Sequence, residues 1–177
     1  TSALDPDVTE SILSLLKNLN RKLGVTIILI THEMSVIRSV CQKVAVMELG
    51  RVVEEGSVYN VFSDPQTVIT RRFVAATSGL KNLGRLISEG SPMVKTGPGR
   101  CLVTLLFTNE SVGNALISEV SRKFDVNLNL VLANVDILQD KTMGFTVVMA
   151  EGDEENIGAA LDYFRSTSVR VEVITNE

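Results

Sequence analysis

Apolar residues near the start of the chain recur about one helical turn apart: Ile12, Leu16, Leu19 and Leu23 form a single stripe. Asp5-Pro6-Asp7 opens this predicted helix, with Asp5 as the cap, Pro6 in the first turn and acidic side chains at the positive end of the dipole. Gly24 is placed to end it. The pattern then changes to an almost unbroken apolar run, Val25 to Ile30, which predicts a strand buried on both faces within a helix-covered parallel sheet. A short helix over 34–39, a strand over 44–47, a turn at Gly50 and a strand over 51–54 follow, with Gly56 closing the hairpin. Residues 57–65 read as a short helix stopped before Pro65, and 68–75 as another helix.

Between residues 76 and 99 the periodicity fades, and Gly79, Gly84, Gly90, Pro92, Gly97, Pro98 and Gly99 mark a linker. Gly79 and Gly84 have phosphate-loop spacing. Arg85 and Leu86, however, stand where Lys and Ser or Thr would hold phosphate and magnesium, so the likeness is spurious.

The remainder reads as strand 101–107, helix 111–124, strand 127–135, strand 143–150, helix 154–165 and strand 169–175, a βαββαβ order. Leu116, Val120 and Phe124 repeat once per turn, as do Ile157, Leu161 and Phe164. Leu128, Leu130 and Leu132 alternate with Asn127, Asn129 and Val131, and Val169, Val171 and Val173 alternate with Arg170 and Glu172, as in antiparallel strands with one buried face. This half predicts a ferredoxin-like α+β domain behind an α/β first part. Arg170 and Glu172 read as a solvated or dimer-facing side of the last strand.

Composition narrows the function classes. With 45% hydrophobic residues and a mean hydropathy of +0.23, the 177 residues can build packed cores, and no apolar run reaches the length of a bilayer span. The chain is expected to be soluble, or peripheral through a partner. A net charge of −4 with scattered basic residues argues against nucleic acid. Cys41 and Cys101 are far apart, and one histidine cannot build a His-rich metal site, so both thiols read as reduced core residues of an intracellular protein.

That histidine, His32, ends the run Gly24-Val25-Thr26-Ile27-Ile28-Leu29-Ile30-Thr31-His32-Glu33, where a parallel strand would aim it into a ligand crevice. The stretch resembles the strand and switch-histidine loop of ABC-transporter ATPases, and Ser2-Ala3-Leu4-Asp5 resembles their D-loop, with one helix between the two motifs as the family requires. The resemblance covers residues 1 to about 65. It implies that His32 contacts the γ-phosphate of ATP, with Ser2 and Asp5 at the nucleotide interface between two copies. Plain helix-capping roles for His32, Asp5 and Glu33 stand beside these.

Residues 100–177 resemble the NIL domain, an ACT-like module behind the ATPase domain of methionine-import ABC transporters. Taken together, the halves resemble the C-terminal part of such an ATP-binding subunit: residues 1–75 from the ATPase domain, a linker over 76–99, and the NIL domain over 100–177. The family uses ATP and Mg2+, works as a homodimer on a transmembrane permease at the cytoplasmic face of the membrane, and takes methionine as a regulatory ligand that restrains transport. The resemblance points to Asn129, with Asn127 as a weaker neighbour, as the methionine-binding residues. An amide offers both donor and acceptor to an amino acid, although an exposed strand asparagine needs no ligand. Met143, Met149 and Phe107 could line a thioether pocket or serve as core filler.

The phosphate loop, signature and Walker B motifs of the family would all precede Thr1. This chain alone is therefore expected neither to bind ATP tightly nor to hydrolyse it. A strand at 25–30 lacking its sheet neighbours exposes an aggregation-prone edge, so the first 75 residues need not adopt the family fold. Two alternatives remain: a non-catalytic dimerisation or amino-acid-binding module, and a small hydrolase using His32 with Asp5 or Glu33, disfavoured by the lack of a nucleophile elbow.

Overall fold

The structure is a computed structural model that describes residues 5–77, 80–108, 115–138 and 140–174. Helix α1 (Pro6–Leu23) ends where Gly24 takes a left-handed φ of +66°, the C-terminal role expected of that glycine. Asn20 donates its side-chain amide to the Val25 carbonyl at 2.7 Å and ties down the chain leaving the helix. Residues 25–30, however, form no strand. They carry no regular structure and pair with no strand among the described residues, with Ile28 86% and Ile30 95% exposed. The apolar run supplies strand propensity, but a strand also needs a hydrogen-bonding neighbour, and none is present among the described residues.

Helix α2 (Met34–Val40) leads into a hairpin of β1 (Lys43–Glu48) and β2 (Arg51–Ser57). Leu49 and Gly50, both at positive φ, form its two-residue turn. Gly56 lies within β2 opposite Val44 rather than closing the hairpin. Ser57 caps α3 (Val58–Ser63), its hydroxyl accepting from the Asn60 N–H at 3.1 Å, and α4 (Val68–Thr77) follows. Glu54 of β2 anchors the start of α4 by accepting from the Gln66 and Thr67 backbone N–H groups and the Thr67 hydroxyl. Burial opposes ionisation of this carboxyl, yet the Thr70 hydroxyl together with these hydrogen bonds outweighs it and holds its pKa below the ordinary value.

The stretch read as a linker contains α5 (Leu80–Ser88) and a 3-10 turn at Pro92–Val94. Leu83 and Val94 are buried, with Leu86 and Ile87 partly so, against the sheet that follows. Between the glycines this segment carries enough apolar surface to cover a sheet face, which offsets its poor helix-forming composition.

The second sheet comprises β3 (Arg100–Phe107), β4 (Asn127–Leu138), β5 (Lys141–Glu151) and β6 (Arg170–Ile174), antiparallel throughout in the order β4-β5-β3-β6. Helices α6 (Leu116–Phe124) and α7 (Glu154–Ser166) cover one face, where Val103, Leu105, Val148 and Phe164 are buried. Expected helix residues 111–114 and strand residue 175 lie outside the described residues.

The opposite face is covered as well. Leu102, Val147 and Met149 pack against Leu83 and Val94, while Leu138 and Met143 pack against Ile37, Val58 and Phe62 from α2 and α3. The one-buried-face expectation is thus corrected, because α5 and the α2–α3 segment supply a second apolar layer. A bulge in β4 leaves Val131 as an extra residue between the pairs Leu130↔Val148 and Leu132↔Val147. The alternation expected along β4 therefore breaks: Leu128 packs on the helix-covered face, Leu132 on the other, and Leu130 is 52% exposed.

Candidate functional site

The candidate residues read from the sequence fall mainly in two places: the turn holding His32 and the edge strand β4. The Thr31 hydroxyl accepts from the Glu33 N–H at 3.0 Å, and the Glu33 carbonyl accepts from the N–H groups of Val36 and Ile37, so the chain enters α2 directly after His32. His32 itself is exposed and lines an open cleft together with residues of α1, of the segment 26–31 and of the hairpin. Asp5 is exposed at the other end of α1, and Ser2 lies outside the described residues.

β4 is a sheet edge, hydrogen-bonded on one side by β5 alone. Asn127 and Asn129 are two residues apart on it, opposite Glu151 and Met149, and both are exposed. The period-two side-chain alternation of a strand puts the two amides on the same face. Glu151 is ion-paired with Arg100 on β3 at 2.7 Å. Asn127, Glu151 and Arg100 therefore occupy adjacent strands in one row, bringing an amide, a carboxylate and a guanidinium together.

The thioether-pocket reading does not hold. Phe107 packs on the face covered by α6 and α7, whereas Met143 and Met149 are buried on the other, each in a different cluster. The three side chains fill cores on opposite sides of the sheet. Arg170 is exposed, as expected of its side of the last strand, and there it also donates to the Ser63 carbonyl at 3.2 Å and the Asp64 carboxylate at 2.7 Å. That contact holds the Asp64 carboxyl below its usual range. Burial raises both cysteine thiols.

Pattern reading missed a set of charged contacts joining the two parts of the chain. Arg38 on α2 is ion-paired with Asp136 on β4 and lies over the Phe62 ring, and Lys141 sits 4.8 Å from the centre of the Tyr59 ring. Nothing in a single sequence couples positions 38 and 136, nearly a hundred residues apart.

No group of three or more His, Cys, Asp and Glu among the described residues could hold a metal ion. No helix among them is long and apolar enough to cross a membrane. One exposed imidazole without a phosphate-binding lysine or acidic cluster does not make an ATP–Mg2+ site, so the residues present do not by themselves fit that cofactor.

Residues 101–173 match the NIL domain family. The chain is 40% identical over 98% of its length to the methionine import ATP-binding protein MetN of Mannheimia succiniciproducens, covering 50% of that protein. It is 42% identical over 99% of its length to MetN 2 of Bacillus licheniformis, covering 51%. The chain thus spans about half the length of these curated relatives. Among solved structures, the C-terminal domain of an ABC transporter ATP-binding protein from Enterococcus faecalis matches 54% of the chain and 97% of its own, at 28% identity and a TM-score of 0.42.

Proposed function

For a chain that carries a NIL domain and is, along nearly its whole length, a relative of the methionine import ATP-binding proteins, we propose that the second half senses free methionine and thereby restrains an ABC importer. The observation that carries this reading is the pair of exposed amides, Asn127 and Asn129, on one face of the edge strand β4. Glu151 and Arg100, in the row of Asn127, add the opposite charges that an ammonium and a carboxylate require. We read the unit as ferredoxin-like from its βαββαβ order and its strand order β6-β3-β5-β4.

In the same reading, residues 1–75 derive from an ATPase domain, 76–99 connect it, and 100–177 form the regulatory domain. His32 serves as the γ-phosphate switch, with Ser2 and Asp5 at the nucleotide interface of a homodimer that docks on a transmembrane permease at the cytoplasmic face of the membrane. The remaining phosphate- and Mg2+-holding groups come from outside these 177 residues, and the chain by itself turns over no ATP.

Calorimetric titration of L-methionine into this chain, with leucine as control, tests the sensing role. Saturable binding of methionine alone is expected, weakened roughly 10- to 100-fold in Asn129→Ala by loss of about 1.5–3 kcal/mol of hydrogen bonding to a charged group. No heat from folded protein would overturn the reading.

A second reading, a dimerisation module without ligand, draws on the exposure of Leu130, Val135 and Ile137 along β4, at 52%, 63% and 72%. A stable dimer in sedimentation, indifferent to methionine and to Asn129→Ala, would favour it.

A further inference from the structure

We propose that Arg38 and Asp136 form a positioning pair through which β4 holds α2, and with it the His32 turn. The role of His32 and the sensing role of β4 rest on the function proposed above, whereas the pairing itself does not. Three observations point to this. First, the Asp136 carboxylate is gripped at both oxygens: Oδ1 by the Arg38 guanidinium, and Oδ2 by the Asn134 side-chain amide at 2.9 Å. Second, both partners of the ion pair are largely withdrawn from water, with side chains 16% and 19% exposed, and desolvation lowers the Arg38 pKa. Surface ion pairs are worth little, but a half-buried pair that loses one member leaves an uncompensated charge. Third, the surroundings are packed. Ile37, Val58, Phe62, Leu138 and Met143 form one buried cluster spanning α2, α3, β4 and β5, and Arg38 lies over the Phe62 ring at 5.9 Å.

The placement gives the pair its meaning. Arg38 lies six positions after His32 on a helix that begins two residues beyond it, and Asp136 lies on the same strand as Asn127 and Asn129. The β4 bulge brings Asn134 and Asp136 to the face that also bears the two ligand-candidate asparagines. A shift of β4 on ligand binding therefore reaches α2 through one ion pair and one apolar cluster. This is a physical link in the sense that coupling demands: contiguous side chains joining two sites.

Hydrogen exchange of the full 177-residue chain tests the proposal, using Asp136→Asn, Arg38→Gln and the double variant, with β3 and β5 as internal reporters of an intact fold. Each single variant is expected to speed exchange over residues 34–41 about tenfold while leaving β3 and β5 unchanged. The double variant, whose two amides can pair, is expected to exchange no faster than either single one. Unaltered exchange in α2, or additive effects in the double variant, would overturn the positioning role. L-methionine then supplies the readout that a merely structural pair would not move. In the unsubstituted chain it alters exchange over residues 31–41, whereas Asp136→Asn binds it with the same affinity and shows no response in α2. An equal response in the variant, or binding without response in the unsubstituted chain, overturns the transmission. If the unsubstituted chain binds no methionine, the sensing reading falls, and the exchange measured without ligand still decides the pair.

Discussion

Gly99 illustrates how tightly the start of the second sheet is specified at the level of single residues. Its φ is +66°, and a methyl group there would lie 2.8 Å from the Gly152 carbonyl oxygen. Its own carbonyl accepts from the Gly152 N–H at 3.0 Å. Gly99→Ala is therefore expected to destabilise the chain by roughly 1–3 kcal/mol in urea unfolding, through strain and contact together. Gly158→Ala is its counterpart. Gly158 sits inside α7 at ordinary φ with open space around it, so that change should stabilise by about 0.4–1 kcal/mol. Residue-level reading of the sequence succeeded where one residue decides the local conformation, as at Gly24 and Gly50. It stopped short where a role depends on a distant partner: the exposure of Arg170 was legible, but its contacts with Ser63 and Asp64 were not.

At the scale of elements, the segment around α5 was the hardest to read and the most consequential. Its glycines signal breaks, yet Leu83 and Val94, 4% and 1% exposed, seal the face of the sheet formed by Leu102, Val147 and Met149. Leu83→Ala should cost about 2–5 kcal/mol and expose enough apolar surface to raise dye binding. A linker that merely joined two units would tolerate the substitution within about 0.5 kcal/mol. The helices and strands of the second half were legible because their periodicities run for several turns or pairs. Residues 25–30 were misread for the opposite reason: their pattern is strong, but pairing is a property of two segments, and the sequence of one does not supply the other. Within the candidate site, the exposure of Asn127 and Asn129 agrees with their place in a strand. The bulge that decides which later residues share their face leaves no mark in the apolar pattern.

For the whole molecule, the two parts are joined by Arg38–Asp136, by Arg170–Asp64 and by the cluster around Met143. Asp64 and Glu54 both have carboxyl pKa values below the ordinary ones. A group whose folded pKa is depressed stabilises fully above its unfolded value, near 4 for carboxylates, and loses that stabilisation as pH falls through the folded value. Thermal unfolding temperatures should therefore be flat from about pH 7 to 5 and fall below about pH 4 as these two groups protonate. Asp64→Asn should flatten part of that fall, and an acid limb identical in the variant would remove Asp64 from the account. The charge contacts between the parts could not be read in advance, since ion pairs leave no periodic trace and either member is an unremarkable surface residue alone.

The extra residue in β4 has a consequence for how this strand tolerates change. Asn127 and Asn129 lie opposite odd-numbered residues of β5 before Val131, and Asn134 and Asp136 lie opposite odd-numbered residues after it. What is fixed at position 131 is therefore a count rather than a side chain. Substitutions there leave the strand in phase, whereas deleting this one residue acts like a frameshift in space: it carries Asn134, Asp136 and Leu138 to the helix-covered side and parts Arg38 from its carboxylate, although every other residue is retained.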